Sequence, residues 1–136
     1  MARIGGHLLV DCLRGLGATK AFGVPGESYL AVLDALHDTR GALDFVLCRH
    51  EGGAAFMAAA WGKLTGAPGS CLVTRGPGAT NAAIGVHTAM QDSSPMILFV
   101  GQVATHMKGR EAFQELDYKA VFGPIAKWAV EVDDAD

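Results

Sequence analysis

Net charge is small in this chain. Eleven Lys and Arg stand against 14 Asp and Glu in 136 residues, giving a formal net charge of -3, and neither sign gathers into a run. Without a basic stripe to displace counterions from phosphates or to meet anionic headgroups, neither nucleic acid nor a membrane surface is expected as a partner. Long hydrophobic runs are missing too. No stretch approaches the roughly 18 apolar residues of a membrane span, and the opening MARIGGHLLVDCLRGLG carries Asp11 and Arg14 within too short an apolar run for a signal peptide. A cytoplasmic protein is expected. Cysteine is equally sparse: Cys12, Cys48 and Cys71 are odd in number, show no CxxC spacing and sit in apolar segments. They read as reduced, buried thiols, and no metal site is expected within the chain.

What is present is hydrophobicity. Half of the residues are hydrophobic, and the length suits a single domain spanning residues 1–136 with one real core. The last residues, VEVDDAD, stop just after an apolar run with no closing helix, so the chain is expected to be cut from a longer polypeptide.

Apolar spacing sets out the elements. Ile4, Leu8, Leu9, Cys12, Leu13 and Leu16 recur at helical intervals before Gly17, predicting a helix over about residues 3–16. Lys20–Val24 reads as a buried strand entering a Pro25-Gly26 turn, and Ser28 as the cap of a helix reaching about Thr39. Leu43–Cys48, Ser70–Thr74, Pro95–Val100 and Lys127–Val132 read as further strands, with helices over Glu51–Leu64 and Ala79–Met90. Strands that are nearly continuously apolar and alternate with helices predict an α/β fold: an open, mostly parallel sheet with helices on both faces, a three-layer sandwich. In such sheets ligands gather at the carboxyl ends of the strands. Here those ends read Val24-Pro25-Gly26-Glu27, Arg49-His50-Glu51, Thr74-Arg75-Gly76-Pro77-Gly78 and Gly101-Gln102-Val103.

Glu51 opens a helix almost devoid of polar side chains, in the stretch RHEGGAAFMAAAWGKLTG. An acidic residue in a first turn is ordinarily a partner for the helix dipole. Its small neighbours, Gly52, Gly53, Ala54 and Ala55, also let another surface approach closely, and a desolvated carboxyl there can exchange a proton with a ring nitrogen of a ligand. The stretch TRGPGATN, Thr74 to Asn81, has the look of an anion loop but lacks the Lys-Ser or Lys-Thr of a Walker loop and the third glycine of the dinucleotide pattern. Thr80 and Asn81 are also ordinary capping residues, His87 is expected to pack on its helix, and Met90 reads as core.

The ordered set FGVPGES, RHEGGAAFMAAAWGKLTGAPGSCLVTRGPGATN, HTAMQDSSPMILFVGQV and GREAFQELD resembles the N-terminal, pyrimidine-binding domain of thiamine-diphosphate-dependent enzymes. Among them it is most similar to the acetohydroxyacid synthase, pyruvate oxidase and 2-hydroxyacyl-CoA lyase group. The resemblance implies that Glu51 is catalytic. The matching glutamate bonds the aminopyrimidine ring nitrogen of thiamine diphosphate and promotes the imino tautomer that takes the thiazolium proton. It implies that Pro25, Gly26, Pro77, Gly78 and Asn81 line the cofactor pocket, with Glu27 nearby, and that Phe113 and Gln114 face the substrate. It further implies a carboligase, lyase or decarboxylase acting on small 2-oxo acids. A magnesium ion would be held by a GDG...N motif that this chain lacks, and FAD is a candidate cofactor of those full-length proteins that carry a central domain. The partner implied is the diphosphate-binding domain of a neighbouring subunit in a homodimer or homotetramer, so the isolated domain is expected to be inactive. His106 is followed by Met107, without the adjacent histidine pair of the decarboxylases that turn pyruvate into acetaldehyde, and Trp61-Gly62-Lys63 replaces a more usual Gly-Tyr-Ala-Arg run. Two other readings stay open on the residues alone: a Rossmann-like module binding a nucleotide or anion at Gly76–Asn81, and a non-catalytic domain that docks a partner through its glycine-rich helix.

Overall fold

In the computed structural model, which describes residues 4–133, the expected alternation is realised as five helices and four strands. They run in the order α1 (Gly5–Gly15), β1 (Lys20–Gly23), α2 (Leu30–Asp38), β2 (Asp44–Leu47), α3 (Glu51–Thr65), β3 (Gly69–Val73), α4 (Gly76–Gln91), β4 (Met96–Val100) and the short α5 (Tyr118–Phe122). All strand pairings are parallel, in the spatial order β2-β1-β3-β4. Every residue of β3 is buried, the expected state of a central strand covered on both faces.

Successive side chains of a strand point to opposite faces, and β3 sorts the core in this way. Cys71 and Val73 join Ala54, Ala55, Ala58, Ala79 and Ala82 in one cluster, formed with α3 and α4. Leu72 joins Val10, Leu13, Val32 and Leu36 in the other, formed with α1 and α2. The sandwich therefore has three layers. From β1 the chain steps through α2 to the edge strand β2. It then crosses back through α3 to β3 and continues through α4 to β4. The order reverses between β1 and β3, and the ends of these two strands flank the crevice where open α/β sheets bind ligands.

Within each helical layer the two helices are close because side chains are missing. A Cβ at Gly85 of α4 would lie 2.5 Å from the Ala55 Cβ of α3, and one at Gly6 of α1 would lie 2.4 Å from the backbone of Ala31 in α2. Gly6 also decides which face of α1 turns inward. The buried residues are Gly6, Val10 and Leu13, while Ile4, Leu16 and Cys12 are exposed, so the expectation of a buried Cys12 is corrected.

Other expectations are revised as well. Ser28 caps nothing: it lies in a 3-10 turn (Glu27–Tyr29), and its Oγ is packed against Gly101. Met90 and His87 face outward from α4. The strand expected at Lys127–Val132 is irregular backbone, with Trp128, Val130 and Val132 exposed. Side chains tie that segment down in place of a ladder. Lys108 pairs with Glu131 at 2.9 Å and with Asp133, and Gln102 Nε2 donates to Glu131 at 3.3 Å. Among the described residues no helix is long and apolar enough to cross a membrane.

The cysteines give a direct test of this packing. Cys71 is fully buried, and burial first, then the neighbouring Cys48 and Glu51, push its thiol up to about 12. The thiolate is the reactive form. An alkylating reagent at pH 8 is expected to modify Cys12 quickly in the native protein and Cys48 and Cys71 only after denaturation. Equal labelling of Cys71 and Cys12 in the native state would contradict the buried β3.

Candidate functional site

Glu51 is the first residue of α3, but it does not cap the helix. His50, in extended backbone, occupies the cap position, and its Nδ1 accepts from the Gly52 amide at 3.0 Å. Histidine is outside the usual set of capping residues, so nothing in the sequence signalled this. The consequence is that the Glu51 carboxylate remains available.

Its two oxygens have different surroundings. Asn81 Nδ2 donates to Oε2 at 2.9 Å, whereas Oε1 faces Gly78, where an added Cβ would sit 3.4 Å away. Glu51 is half-buried, and its charge is felt inside the sheet. The Tyr29 hydroxyl is held well above its ordinary value, by burial first and by Cys71 and Glu51 after it.

Neighbouring strand ends close around this carboxylate. After β1, Gly26 lies in extended backbone against the end of β3, and a Cβ there would fall 2.3 Å from Thr74 Cγ2. The Tyr29 hydroxyl donates to the Val24 carbonyl and fixes the same turn from inside. Arg75 Nη1 donates to Glu27 Oε1 at 2.6 Å, tying the β1 loop to the start of α4. Partners 48 residues apart leave no local pattern, so this bridge was invisible in the sequence. Pro25 and Pro77 are exposed beside these contacts.

The helix α4 begins at Gly76, three residues ahead of the expected Ala79, with Pro77 in its first turn, where a fixed φ suits the helix. Thr80 and Asn81 do not cap it. The Thr80 hydroxyl donates back to the Gly76 and Pro77 carbonyls, and the Asn81 amide goes to Glu51. The Gly76 amide donates to the Gln114 carbonyl at 3.0 Å, and Pro77 has no amide hydrogen. With these two donors unavailable, the start of α4 is a poor phosphate cradle.

The same bond brings the distant Phe113-Gln114 pair to the strand ends. Phe113 stands largely exposed, with the Arg75 guanidinium 5.9 Å from its ring centroid, and Gln114 is half-buried. The structure thus joins Gly26, Glu51, Gly78 and Asn81 through direct packing or hydrogen bonds around Thr74 and Glu51, and brings Phe113 and Gln114 to the adjoining helix start. Away from this region, His7, Asp34 and Asp38 place possible ligating atoms within 4.8 Å of one another in the α1–α2 layer.

The assembled geometry is a carboxylate with one oxygen fixed by an amide donor and the other turned toward a surface without a side chain. Such a group can hold or share a proton with a flat, nitrogen-bearing ring. The tight Gly26–Thr74 contact makes the cradle testable. Gly26→Ala is expected to cost roughly 1–3 kcal/mol in denaturant unfolding, as overpacking does. Thr74→Ser, which removes the clashing methyl, should recover part of the loss in a double-mutant cycle; additive effects would contradict the contact.

Comparison with known proteins accords with this geometry. The model of the family described as "Thiamine pyrophosphate enzyme, N-terminal TPP binding domain" matches residues 3–121. Acetolactate synthase of Bacillus subtilis is 47% identical over 130 residues, covering 96% of this chain and 22% of the relative. The acetolactate synthase isozyme 3 large subunit of Escherichia coli is 46% identical over 123 residues, covering 90% and 21%. The mitochondrial acetolactate synthase catalytic subunit of Aspergillus candidus is 41% identical over 132 residues, covering 97% and 19%. The chain thus spans about a fifth of the length of these relatives. It belongs to the family of thiamine pyrophosphate enzyme N-terminal TPP-binding domains.

Proposed function

We propose that the chain is the pyrimidine-binding domain, in the N-terminal part, of a longer multidomain enzyme of the acetolactate synthase type. Such an enzyme makes or breaks a carbon-carbon bond next to a carbonyl, with 2-oxo acids such as pyruvate as substrates. The observation that carries the reading is the Glu51 carboxylate at the reversal of strand order, anchored through Oε2 by Asn81 and turned through Oε1 toward Gly78.

The residues fit the cofactor that the family implies. Bound thiamine diphosphate supplies a thiazolium ring whose acidic carbon becomes a nucleophile toward carbonyls and then stores the electron pair released from the substrate. The Glu51 carboxylate would hold or donate a proton at the aminopyrimidine ring nitrogen. Asn81 orients the carboxylate by donating to Oε2, and keeps it from rotating away. Gly78 and Gly26 leave room for a flat ring, while Pro25 and Pro77 give rigid apolar edges that exclude water. Phe113 and Gln114 face the substrate, with the Gln114 side-chain amide as donor to a carboxylate or carbonyl oxygen. The diphosphate and a magnesium ion are held outside this chain, by the diphosphate-binding domain of a neighbouring subunit in a homodimer or homotetramer. FAD is a further candidate cofactor of the full-length protein. The class is a transferase or lyase, the compartment the cytoplasm.

Two measurements test this. Hydrogen-deuterium exchange at the thiazolium carbon, followed in the full natural polypeptide with magnesium, is expected to fall by at least about a hundredfold in Glu51→Gln, the scale of general acid-base assistance. Equal rates in both proteins would return Glu51 to a helix-dipole role. Gln114→Ala is expected to weaken saturation by the 2-oxo acid while leaving that exchange unchanged; unaltered kcat and KM would remove Gln114 from the substrate side.

A further inference from the structure

The Phe113-Gln114 pair sits in a loop that is backbone-strained and has little packing of its own. Gly109, Glu111 and Gln114 have φ of 73°, 53° and 61°, so three residues in a span of six lie in the left-handed region, two of them without the freedom of glycine. A conformation of this kind persists only where other contacts enforce it. One side chain supplies them. Glu115 Oε1 accepts from the Gly109 amide at 2.6 Å and Oε2 accepts from the Ala112 amide at 3.0 Å. The Glu115 amide in turn donates to the Ala112 carbonyl at 2.9 Å. These backbone donors stabilise the ionised form, and they hold the carboxyl below the usual carboxylate range. On the far side, the Gln114 carbonyl is fixed to the Gly76 amide at the start of α4.

We infer that Glu115 is a positioning residue: its carboxylate, spanning the Gly109 and Ala112 amides, sets the left-handed turn that presents Phe113 and Gln114 at the strand ends. The inference rests on the proposal that Gln114 meets the 2-oxo acid. It requires a carboxylate and not merely a polar side chain. Both oxygens accept from N–H groups, and a glutamine would turn an NH2 toward one of those donors. Aspartate keeps two acceptors on a stem one methylene shorter, so it restores part of the grip.

The test uses the full natural polypeptide with thiamine diphosphate and magnesium, comparing the parent with Glu115→Gln and Glu115→Asp. Three quantities are read: backbone amide exchange over residues 109–115, the exchange rate of the thiazolium carbon, and kcat and KM for pyruvate. Losing a charge-assisted hydrogen bond is worth about a tenfold change. Glu115→Gln is therefore expected to speed amide exchange in the loop and to raise KM for pyruvate by about tenfold each. Thiazolium exchange should stay within about twofold of the parent, and Glu115→Asp should fall between parent and Glu115→Gln on both counts. Unchanged loop protection overturns the inference. So does a rise in amide exchange with no change in KM, or a parallel loss of thiazolium exchange, which would mark general disruption. A parent that shows thiazolium exchange but no turnover of any 2-oxo acid would instead defeat the proposed substrate class, and the amide exchange would still decide whether Glu115 holds the loop.

Discussion

The close approach of α3 and α4 is the constraint on which the rest of the strand-end geometry depends. Gly85 offers no Cβ where Ala55 arrives, and alanines line both helices along the seam. With larger residues the axes would stand further apart, since helix spacing follows the side chains at the contact. Asn81 would then lose the Glu51 carboxylate, which it reaches at 2.9 Å, and Gly78 would no longer lie over the free oxygen. The small residues of these helices serve packing and chemistry together.

Topology supplies the second half of the arrangement. Because the strand order reverses between β1 and β3, the loops after those two parallel strands diverge to opposite faces and leave a crevice. The start of α3 is carried to the same end by the crossing from β2. Arg75 then binds the pieces: it pairs with Glu27 from the β1 loop and stands near the Phe113 ring of the late loop. Four segments far apart in the chain meet there, and no single one of them forms a site alone.

Much of the fold was legible in the sequence. Continuous apolar strands alternating with helices gave the three-layer sandwich, and the glycine- and proline-bearing turns marked the strand ends that converge. What misled were elements whose outcome depends on distant partners. The Lys127–Val132 run has the hydrophobicity of a strand, but Glu131 and Asp133 are drawn to Lys108, and among the described residues the segment joins no strand ladder. Periodicity placed Cys12 inside because it ignored Gly6, whose missing side chain decides which face of α1 packs on α2. His50 as a helix cap, Arg75 as a bridge and Glu115 as a loop anchor all use side chains at distances that local propensity does not encode. Glu51, Gly78 and Asn81 were singled out by their resemblance to a family motif, and the structure brings these three together. The unequal surroundings of the two Glu51 oxygens depend on Asn81, 30 residues away, and leave no local pattern.

In the proposed site Glu51 acts on the aminopyrimidine ring nitrogen of the cofactor and not on the helix that it opens. Binding of thiamine diphosphate, and of an analogue in which that ring nitrogen is replaced by CH, to the full polypeptide and to its Glu51→Ala variant measures this directly. The analogue is expected to lose about tenfold or more in affinity for the parent protein, the worth of a hydrogen bond to a charged group, and almost nothing for the variant. An equal loss in both proteins would place the ring nitrogen's partner elsewhere and contradict the assignment of Glu51.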